Sequence, residues 1–313
     1  MLSLHPCLPP SSVLHRGTGR RPTGNDSQPS ILCTADGRAG VEVGHVSADV
    51  NATAIVKRIQ RTKKYAHLCE SVIRRASDQA VARYRTEKEA EKAARRRLHQ
   101  VYGAYLEEDW VGEVGRALDA VDKDDLAEPR AFCLPLLDLH ASTRERVDNL
   151  DTLFPRIFSE TGTPSHVVDL ACGLNPLTVS WMGLPESCRY TAVDLHEGLA
   201  LVLNRFFERF GLTGEAVCGD VLEWDDFTAD VVFLLKVLPC LARQEKDADL
   251  ATVARIPSRD VVLSYPSKSL SGRDVGMVEH YGNRAREIAD CCGRDLIEIE
   301  GASELVFVLR KGA

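Results

Sequence analysis

Two aspartates stand where short apolar runs end, and both positions suit the binding of a nucleoside. Asp194 follows the run 190–193, and Asp220 follows the run 216–218 after a single glycine. A carboxylate at the end of a buried strand can accept hydrogen bonds from both hydroxyls of a ribose, which is the role expected of Asp194. Asp220 would accept from the exocyclic amine of adenine, with Val221 beside it as a backbone donor and apolar wall. Each aspartate alone fits a helix N-cap equally well, so the prediction depends on their order along the chain.

A third strand end has the form of a cofactor-binding turn. It reads Asp-Leu-Ala-Cys-Gly-Leu-Asn-Pro over 169–176. Gly173 would let the backbone approach a bound ligand closely. The dinucleotide fingerprint G-x-G-x-x-G is missing, because no second or third glycine follows, and this disfavours an NAD-dependent dehydrogenase. A plain strand-to-helix turn is the alternative interpretation.

The elements that must position these residues alternate between β-rich and helical runs from about residue 165 onward. This alternation predicts a parallel, doubly wound sheet. Two further runs, 296–300 and 304–309, are separated by only three residues and predict an antiparallel hairpin. A parallel sheet that ends in such a hairpin is the architecture of the class I S-adenosylmethionine (SAM) methyltransferases, an α/β, Rossmann-like fold. The predicted strands of the parallel part are 166–170, 190–193, 216–218, 230–235 and 261–265.

Lys236 ends the fourth predicted strand. Methyltransferases that modify the amines of adenine or cytosine usually carry Asp/Asn-Pro-Pro-Tyr at this place. That motif accepts hydrogen bonds from an exocyclic amine, whereas a lysine only donates. A donor suits an edge made of acceptors, such as the N7/O6 edge of guanine. Lys236 is therefore the candidate for positioning the target base, and no general base is expected. A surface lysine with its ammonium in solvent is the alternative.

A polar segment, His-Ala-Ser-Thr-Arg-Glu-Arg over 140–146, lies one helix before the first cofactor strand. Ser142 and Arg146 are four residues apart and would share a helix face. An arginine directed at the pocket could bind the carboxylate of the methionine part of SAM through two parallel hydrogen bonds. A surface run of salt bridges, which contributes little to stability, is the alternative.

Charge is distributed unevenly along the chain. The formal net charge is −7, but residues 51–100 carry 14 Lys and Arg against 5 Asp and Glu. The apolar spacing in this block is helical, which predicts a basic helical domain over 51–135, followed by the methyltransferase domain over 136–313. A basic block on an acidic body suggests binding to a polyanion such as RNA, and a solvated helical face is the alternative. Residues 1–50 are rich in Pro, Gly, Ser and Thr and predict a disordered tail.

Composition excludes several other classes of protein. No run of 18 or more apolar residues is present, so no membrane span is predicted. The N-terminus lacks a basic start followed by an apolar stretch, so a secretory signal is not expected. The expected location is therefore cytoplasmic. The ten cysteines form no C-x-x-C pair and no Cys/His cluster with zinc spacing, so no metal site is expected.

Several strings together resemble the aminoglycoside-resistance 16S rRNA methyltransferases, which modify N7 of the decoding-site guanine. The most specific are Asp-Leu-Ala-Cys-Gly-Leu-Asn-Pro (169–176) and Ser-Thr-Arg-Glu-Arg (142–146). Leu-Leu-Lys-Val-Leu-Pro-Cys-Leu (234–241) and Tyr-Pro-Ser-Lys-Ser-Leu (265–270) add to them. The resemblance covers roughly residues 55–311. It implies SAM as the methyl donor, 16S rRNA in the assembled 30S subunit as the substrate, and aminoglycoside resistance as the outcome.

The resemblance also implies a cofactor pocket and an rRNA-binding surface, residue by residue. The cofactor pocket would consist of Tyr105, His140, Ala141, Ser142, Arg146, Ala171, Gly173, Asp194, Asp220, Val221, Leu235 and Gln244. The basic helical domain would contact rRNA phosphates through Lys57, Arg58, Arg61, Lys63, Lys64, Lys92, Arg95, Arg96 and Arg97. At Tyr105 and Ala141 the relatives often have Phe and Ile, and neither departure removes an essential donor.

Two other kinds of function stay open on the sequence. One is methylation of a different rRNA or tRNA base, or of a small molecule; a small-molecule enzyme would have a lid over its pocket and no use for the basic helical domain. The other is a non-catalytic RNA-binding protein with a SAM-type fold. Such a protein would be expected to have lost Asp194, Asp220 or Gly173, and all three are present.

Overall fold

Seven strands in the described part of the chain form one mixed sheet, as the alternation of β-rich and helical runs predicts. They are β1 His166–Leu170, β2 Arg189–Asp194, β3 Gly214–Cys218, β4 Val231–Leu235, β5 Asp260–Tyr265, β6 Arg294–Ile299 and β7 Leu305–Lys311. Their order across the sheet is β3-β2-β1-β4-β5-β7-β6. Strands β1 to β5 are parallel, and β7 is antiparallel to both β5 and β6. The predicted class I methyltransferase fold with a terminal antiparallel pair is confirmed.

The computed structural model describes residues 50–106, 109–121, 128–267, 276–300 and 303–312, with only the helical backbone for 103–106. The helices within these ranges are α1 Ala52–Gln60, α2 Glu70–Val81, α3 Glu87–Leu106, α4 Trp110–Ala120, α5 Pro129–Leu137, α6 Ala141–Arg144, α7 Leu150–Thr161, α8 Val179–Met182, α9 Glu197–Arg209, α10 Leu238–Gln244, α11 Ala248–Arg255 and α12 Met277–Cys292. None of them is long and apolar enough to cross a bilayer. The predicted disordered tail, 1–50, lies outside the described residues except for Val50.

The core of the sheet consists of two hydrophobic clusters, one on each face. Successive residues of a strand point to opposite faces, so Val167 joins the first cluster and Val168 the second. In the same way Phe233 belongs to the first cluster and Leu234 to the second. Because both faces are covered by helices, these strands are apolar on both sides, which explains why they appear in the sequence as continuous apolar runs.

A third hydrophobic cluster lies among α1, α2 and α3, and we call residues 50–106 the helical module. Ile55, Ile59, Ile73 and Leu98 are at most 1% exposed in this cluster. The Asn51 side chain caps α1 by accepting a hydrogen bond from the Ala54 N–H at 3.2 Å. The apolar positions predicted at helical spacing thus form a small core of their own.

The module ends earlier than the predicted helical domain over 51–135. Helices α4 and α5 pack in the first cluster of the sheet through Trp110, Val114, Leu118 and Leu137. A Cβ added at Gly115 would lie 3.7 Å from Val202 on α9, so the two helices pack closely at this point. The apolar faces of α4 and α5 therefore pack in the core of the sheet and not in that of the helical module. The domain division at 135 stays a prediction.

Candidate functional site

A cavity opens at the carboxyl ends of β1, β2, β3 and β4. The strand order reverses between β1 and β4, and ligands of doubly wound sheets bind at such a switch point. Nine of the twelve predicted cofactor residues line the cavity, and so does Lys236. These nine are His140, Ser142, Ala171, Gly173, Asp194, Asp220, Val221, Leu235 and Gln244.

Asp194 is held by the two turns that meet beside it. Its Oδ2 accepts a hydrogen bond from the Gly173 N–H at 3.0 Å, and its Oδ1 accepts from the His196 N–H at 3.1 Å. Burial raises the pKa of this carboxyl, while the N–H groups of Gly173 and His196 oppose the shift. Each oxygen retains a lone pair for a further donor. Gly173 has φ +50°, which is why a glycine suits this turn.

The end of β3 is closely packed around Asp220. A Cβ added at Gly219 would lie 2.9 Å from both Trp224 and Val193, so a larger residue would displace the turn. The Asp220 Oδ1 accepts from the Leu222 N–H at 3.1 Å, and the Oδ2 lies 2.5 Å from Nη2 of Arg75. Arg75 comes from α2 in the helical module, a partner that the sequence analysis did not identify.

Two residues on the cavity have the left-handed backbone conformation that non-glycine residues rarely adopt. Ala171 follows β1 with φ +54°, and Lys236 follows β4 with φ +59°. Such conformations cost about 1–3 kcal/mol each and are concentrated at functional sites. At Lys236 the strained backbone is held by its N–H, which donates to the Ser264 carbonyl at 3.0 Å. Both residues were predicted site positions.

The Lys236 ammonium faces two carboxylates rather than solvent. Its Nζ lies 2.5 Å from the Glu145 carboxylate and 3.2 Å from that of Glu304, and it donates to the Ser142 carbonyl at 3.3 Å. The side chain is only 10% exposed, so the alternative of a surface lysine is wrong. Glu304 stands just before β7 and is fully buried. Burial alone would raise the pKa of Glu304, but Arg146 and Lys236 hold it below its usual value.

Arg146 lies beneath the cavity and not on its lining. Its Nε and Nη2 donate to the two oxygens of Glu304 at 2.5 and 3.2 Å, and its Nη1 donates to Asn175 at 2.9 Å. The guanidinium is 1% exposed. The guanidinium serves as the counter-ion of Glu304, and Arg146 is not among the lining residues, so its predicted contact with the cofactor carboxylate stays a prediction.

Two other predicted cofactor residues do not join the cavity in the described structure. Ala141 begins α6 and is exposed, outside the lining residues. The side chain of Tyr105 lies outside the described residues, so its predicted role stays a prediction. The neighbouring Tyr102, which the sequence analysis passed over, does line the cavity.

Burial lowers the pKa of two histidines on the lining. Burial, with added effects of Arg146 and Lys236, lowers the pKa of His140 to about 4. Its Nδ1 lies 2.7 Å from the Ser142 hydroxyl. Burial also lowers the pKa of His196, whose Nδ1 caps α9 by accepting from the Leu199 N–H at 3.1 Å. Trp110 packs edge-on against His140, with ring centroids 5.3 Å apart.

Six of the nine predicted rRNA-binding cations are exposed on the helical module. They are Lys57, Arg61, Lys63, Lys64, Lys92 and Arg96. The two segments that carry them lie side by side, since Lys64 Nζ is 3.3 Å from His99 and Arg95 donates to the Thr62 hydroxyl at 3.2 Å. This arrangement places cations from both segments on one part of the module surface.

The other three cations are half-buried and have partners within the protein. Arg58 pairs with Glu91 at 2.8 Å, Arg95 pairs with the same carboxylate at 2.9 Å, and Arg97 donates to the Gln244 carbonyl. The predicted phosphate contacts of these three residues stay a prediction. Their guanidinium groups hold the module together or attach it to α10.

The donors and acceptors of the cavity fit SAM. Asp194 offers free acceptor positions for a ribose, and Asp220 lies beside Val221 and Leu235, which are less than a tenth exposed and suit the faces of an adenine ring. Gly219 leaves no space for a side chain at the end of β3. The fold and this cavity define a class I SAM-dependent methyltransferase.

The chain belongs to a family of ribosomal RNA methyltransferases. Residues 61–308 match the family model described as "Ribosomal RNA methyltransferase (FmrO)". A 16S rRNA (guanine(1405)-N(7))-methyltransferase of Micromonospora rosea is 32% identical over 270 residues, which cover 85% of this chain and 98% of that protein. A protein of the same name from Frankia casuarinae is 32% identical over 289 residues, 90% of this chain and 100% of that one.

Solved structures support the same assignment. The crystal structure of 16S rRNA methyltransferase RmtF in complex with S-adenosyl-L-homocysteine (SAH) is similar to this chain with a TM-score of 0.71 and 30% identity. The alignment covers 85% of this chain and 100% of that one. SAH is the product that SAM becomes after methyl transfer, so the predicted cofactor is confirmed.

Replacing Asp194 is expected to weaken cofactor binding. Asp194→Ala removes a charged acceptor at the ribose position, and we expect the free energy of SAM binding to become less favourable by about 2–3 kcal/mol. Calorimetric titration of SAM would measure the change. Asp225→Ala removes an exposed carboxylate from the loop after β3 and serves as the matched control. Equal SAM affinity for the two folded variants would contradict the ribose role of Asp194.

Proposed function

We propose that this chain transfers the methyl group of SAM to N7 of guanine 1405 of 16S rRNA, within the assembled 30S subunit, and so confers resistance to aminoglycosides. The observation that supports it most directly is the buried cation Lys236 on the cofactor cavity, in a chain whose relatives are named for this reaction. A cationic donor complements the acceptors N7 and O6 on the Hoogsteen edge of guanine.

Methyl transfer to N7 requires little of the protein beyond the alignment of the two reactants. SAM supplies an electrophilic methyl group on a sulfonium, and N7 of guanine has an in-plane lone pair and carries no proton. Lys236 would donate to the acceptor edge of the base by exchanging one of its three present acceptors, such as the Ser142 carbonyl, for the base. Glu145 and Glu304 would keep the ammonium in place during this exchange. Holding the two reactants in line can contribute a large part of the rate enhancement.

The helical module would bring rRNA to this cavity. Its exposed cations suit the phosphate backbone, and Val101 and Tyr102 from α3 form part of the cavity lining. RNA bound on the module would therefore lie close to the cofactor. The positive charge gained at N7 would also repel a cationic aminoglycoside from the modified edge.

The rate of methyl transfer is expected to be independent of pH between about 6.5 and 8.5, because N7 releases no proton. The burial that lowers the pKa of His140 to about 4 keeps that side chain neutral throughout this range. Single-turnover rates with saturating SAM and 30S subunits would test this prediction. A tenfold rise in rate per pH unit would reveal a titrating base and contradict the N7 chemistry.

The proposed substrate is tested by offering the enzyme several RNAs with tritiated SAM. We expect label in 16S rRNA when the substrate is the 30S subunit, and little when it is protein-free 16S rRNA or the 50S subunit. Asp194→Ala protein provides the background. Equal labelling of protein-free 16S rRNA would contradict the requirement for an assembled subunit, and label only in 50S subunits would contradict the substrate itself.

A further inference from the structure

One arginine of the helical module reaches across to the cofactor cavity. Arg75 lies on α2, and its Nη2 is 2.5 Å from Asp220 Oδ2, at the end of β3. The same guanidinium lies 3.2 Å from Glu223 and 3.4 Å from the side-chain oxygen of Gln244 on α10. The side chains of Arg75 and Asp220 are 18% and 5% exposed. This ion pair is therefore largely removed from water, where charge pairs interact more strongly than on the surface.

The adjacent Arg74 shows that position on α2, rather than basic character, determines this contact. Arg74 pairs with Glu70, one turn earlier on its own helix, and is 43% exposed. Arg75 lies on a different face of the helix, from which it reaches Asp220 at the end of β3. The two arginines thus carry the same charge on the same helix, but their surroundings differ.

Further contacts attach the module to the same end of the cavity. The Tyr102 hydroxyl donates to the side chain of Gln244 at 2.8 Å, and Arg97 donates to the Gln244 carbonyl. Burial raises the pKa of Tyr102, so its hydroxyl stays protonated and able to donate. Since Tyr102, Gln244 and Asp220 all line the cavity, one wall of the cofactor site is built jointly by the module and the sheet.

Without Arg75, Asp220 would lack its counter-ion. The carboxylate is 7% exposed, and its other oxygen is engaged by the Leu222 N–H. A nearly buried carboxylate without a partner is costly, so it would turn toward water. This movement would change the acceptor that is to face the adenine of SAM.

We propose that Arg75 is a positioning residue: it holds Asp220 for the adenosine part of SAM and links rRNA binding by the helical module to cofactor binding. The link rests on the proposed function, because it requires the module to bind rRNA. If rRNA binds best when the helical module is packed against the sheet, rRNA binding would also stabilise the wall of the cofactor cavity that the module and the sheet build together. By thermodynamic reciprocity, cofactor binding would strengthen rRNA binding by the same factor.

The positioning role is tested by calorimetric titration of SAM in the absence of RNA. We expect Arg75→Ala to bind SAM about tenfold more weakly than the wild type, and Arg75→Lys to recover part of the loss. Arg74→Ala, which removes the same charge from the same helix, should bind SAM as the wild type does. Arg75→Gln, which keeps a polar side chain, replaces Arg75→Ala if that variant does not fold. Equal affinities for the Arg74 and Arg75 variants would overturn the positioning role.

The link is tested by titrating SAH, which cannot be consumed, with and without saturating 30S subunits. We expect 30S subunits to tighten SAH binding to the wild type and to Arg74→Ala by about fivefold or more, and to have no such effect on Arg75→Ala. The same increase for Arg75→Ala would overturn the link. If the wild type neither binds nor methylates 30S subunits, the proposed function fails, while the titration without RNA still decides the positioning role.

Discussion

Reversing three exposed cations of the helical module, in the variant Arg61→Glu/Lys63→Glu/Arg96→Glu, is expected to abolish methylation of 30S subunits and leave SAM affinity unchanged. The slope of log K against the logarithm of the salt concentration becomes shallower by about 0.9 for each lost phosphate contact, and so by about 2.7 for three contacts. Near physiological salt we expect binding to 30S subunits to fall by more than about 100-fold. Filter binding over a range of salt concentrations would measure both quantities.

The choice of residues follows from the structure. Arg95 and Arg97 lie among the same cations in the sequence, but they have partners inside the protein, and their reversal would damage the fold. A matched control reverses Arg116, Arg189 and Arg205, three exposed arginines outside the module that pair with surface carboxylates. Normal methylation by the module variant, or an equal loss in the control, would show that the module surface has no special part in docking.

Replacing Glu304 is expected to destabilise the protein strongly. Glu304→Gln leaves the guanidinium of Arg146 and the ammonium of Lys236 without the carboxylate they share. Removal of one partner from a buried ion pair typically costs about 3–5 kcal/mol, and we expect a loss in this range in the free energy of unfolding. Urea denaturation followed by circular dichroism would measure it.

The same exchange at an exposed site separates burial from charge. Glu298→Gln on β6 changes an exposed carboxylate of the neighbouring strand, and we expect a change in the free energy of unfolding of less than about 0.5 kcal/mol. Similar unfolding curves for the two variants would mean that the buried network beneath the cavity contributes no stability.

The strand ends could be predicted from sequence because their signal is local. Each strand of the sheet is a short apolar run, and Asp194, Asp220 and Lys236 stand where a run stops. Parallel strands bring such ends to one edge of a sheet, so their order along the chain predicts their meeting in space. The predicted cavity lining at Gly173, Val221 and Leu235 follows from the same logic.

Long-range ion pairs could not be predicted in this way. Arg146 and Glu304 are 158 residues apart, and nothing in either local pattern identifies the other as its partner. Arg75 looks like its neighbour Arg74 in the sequence, and only the packing of α2 against the end of β3 distinguishes them. A glutamate directly before the apolar strand β7 was the one available signal for Glu304, since a buried strand rarely begins with an unpaired charge.

The packing partner of α4 could not be predicted for a related reason. Helix α4 has an apolar face with Val114 and Leu118, which fits a small helical domain as well as it fits the methyltransferase core. Helical periodicity gives the face that is buried but not the element against which it packs. The contact with α9 assigns α4 to the sheet, and the helical module is correspondingly smaller.

The central claim is tested most directly by mapping the methylated atom. After incubation of 30S subunits with the enzyme and SAM, the 16S rRNA is treated with mild borohydride and then aniline, which cleave RNA selectively at 7-methylguanosine. Primer extension is expected to stop one nucleotide 3′ of guanine 1405, the position named for the relatives, and the Asp194→Ala protein should give no stop. Label from tritiated SAM without this cleavage, or on an adenine or an exocyclic amine, would contradict both the N7 reaction and the role given to Lys236.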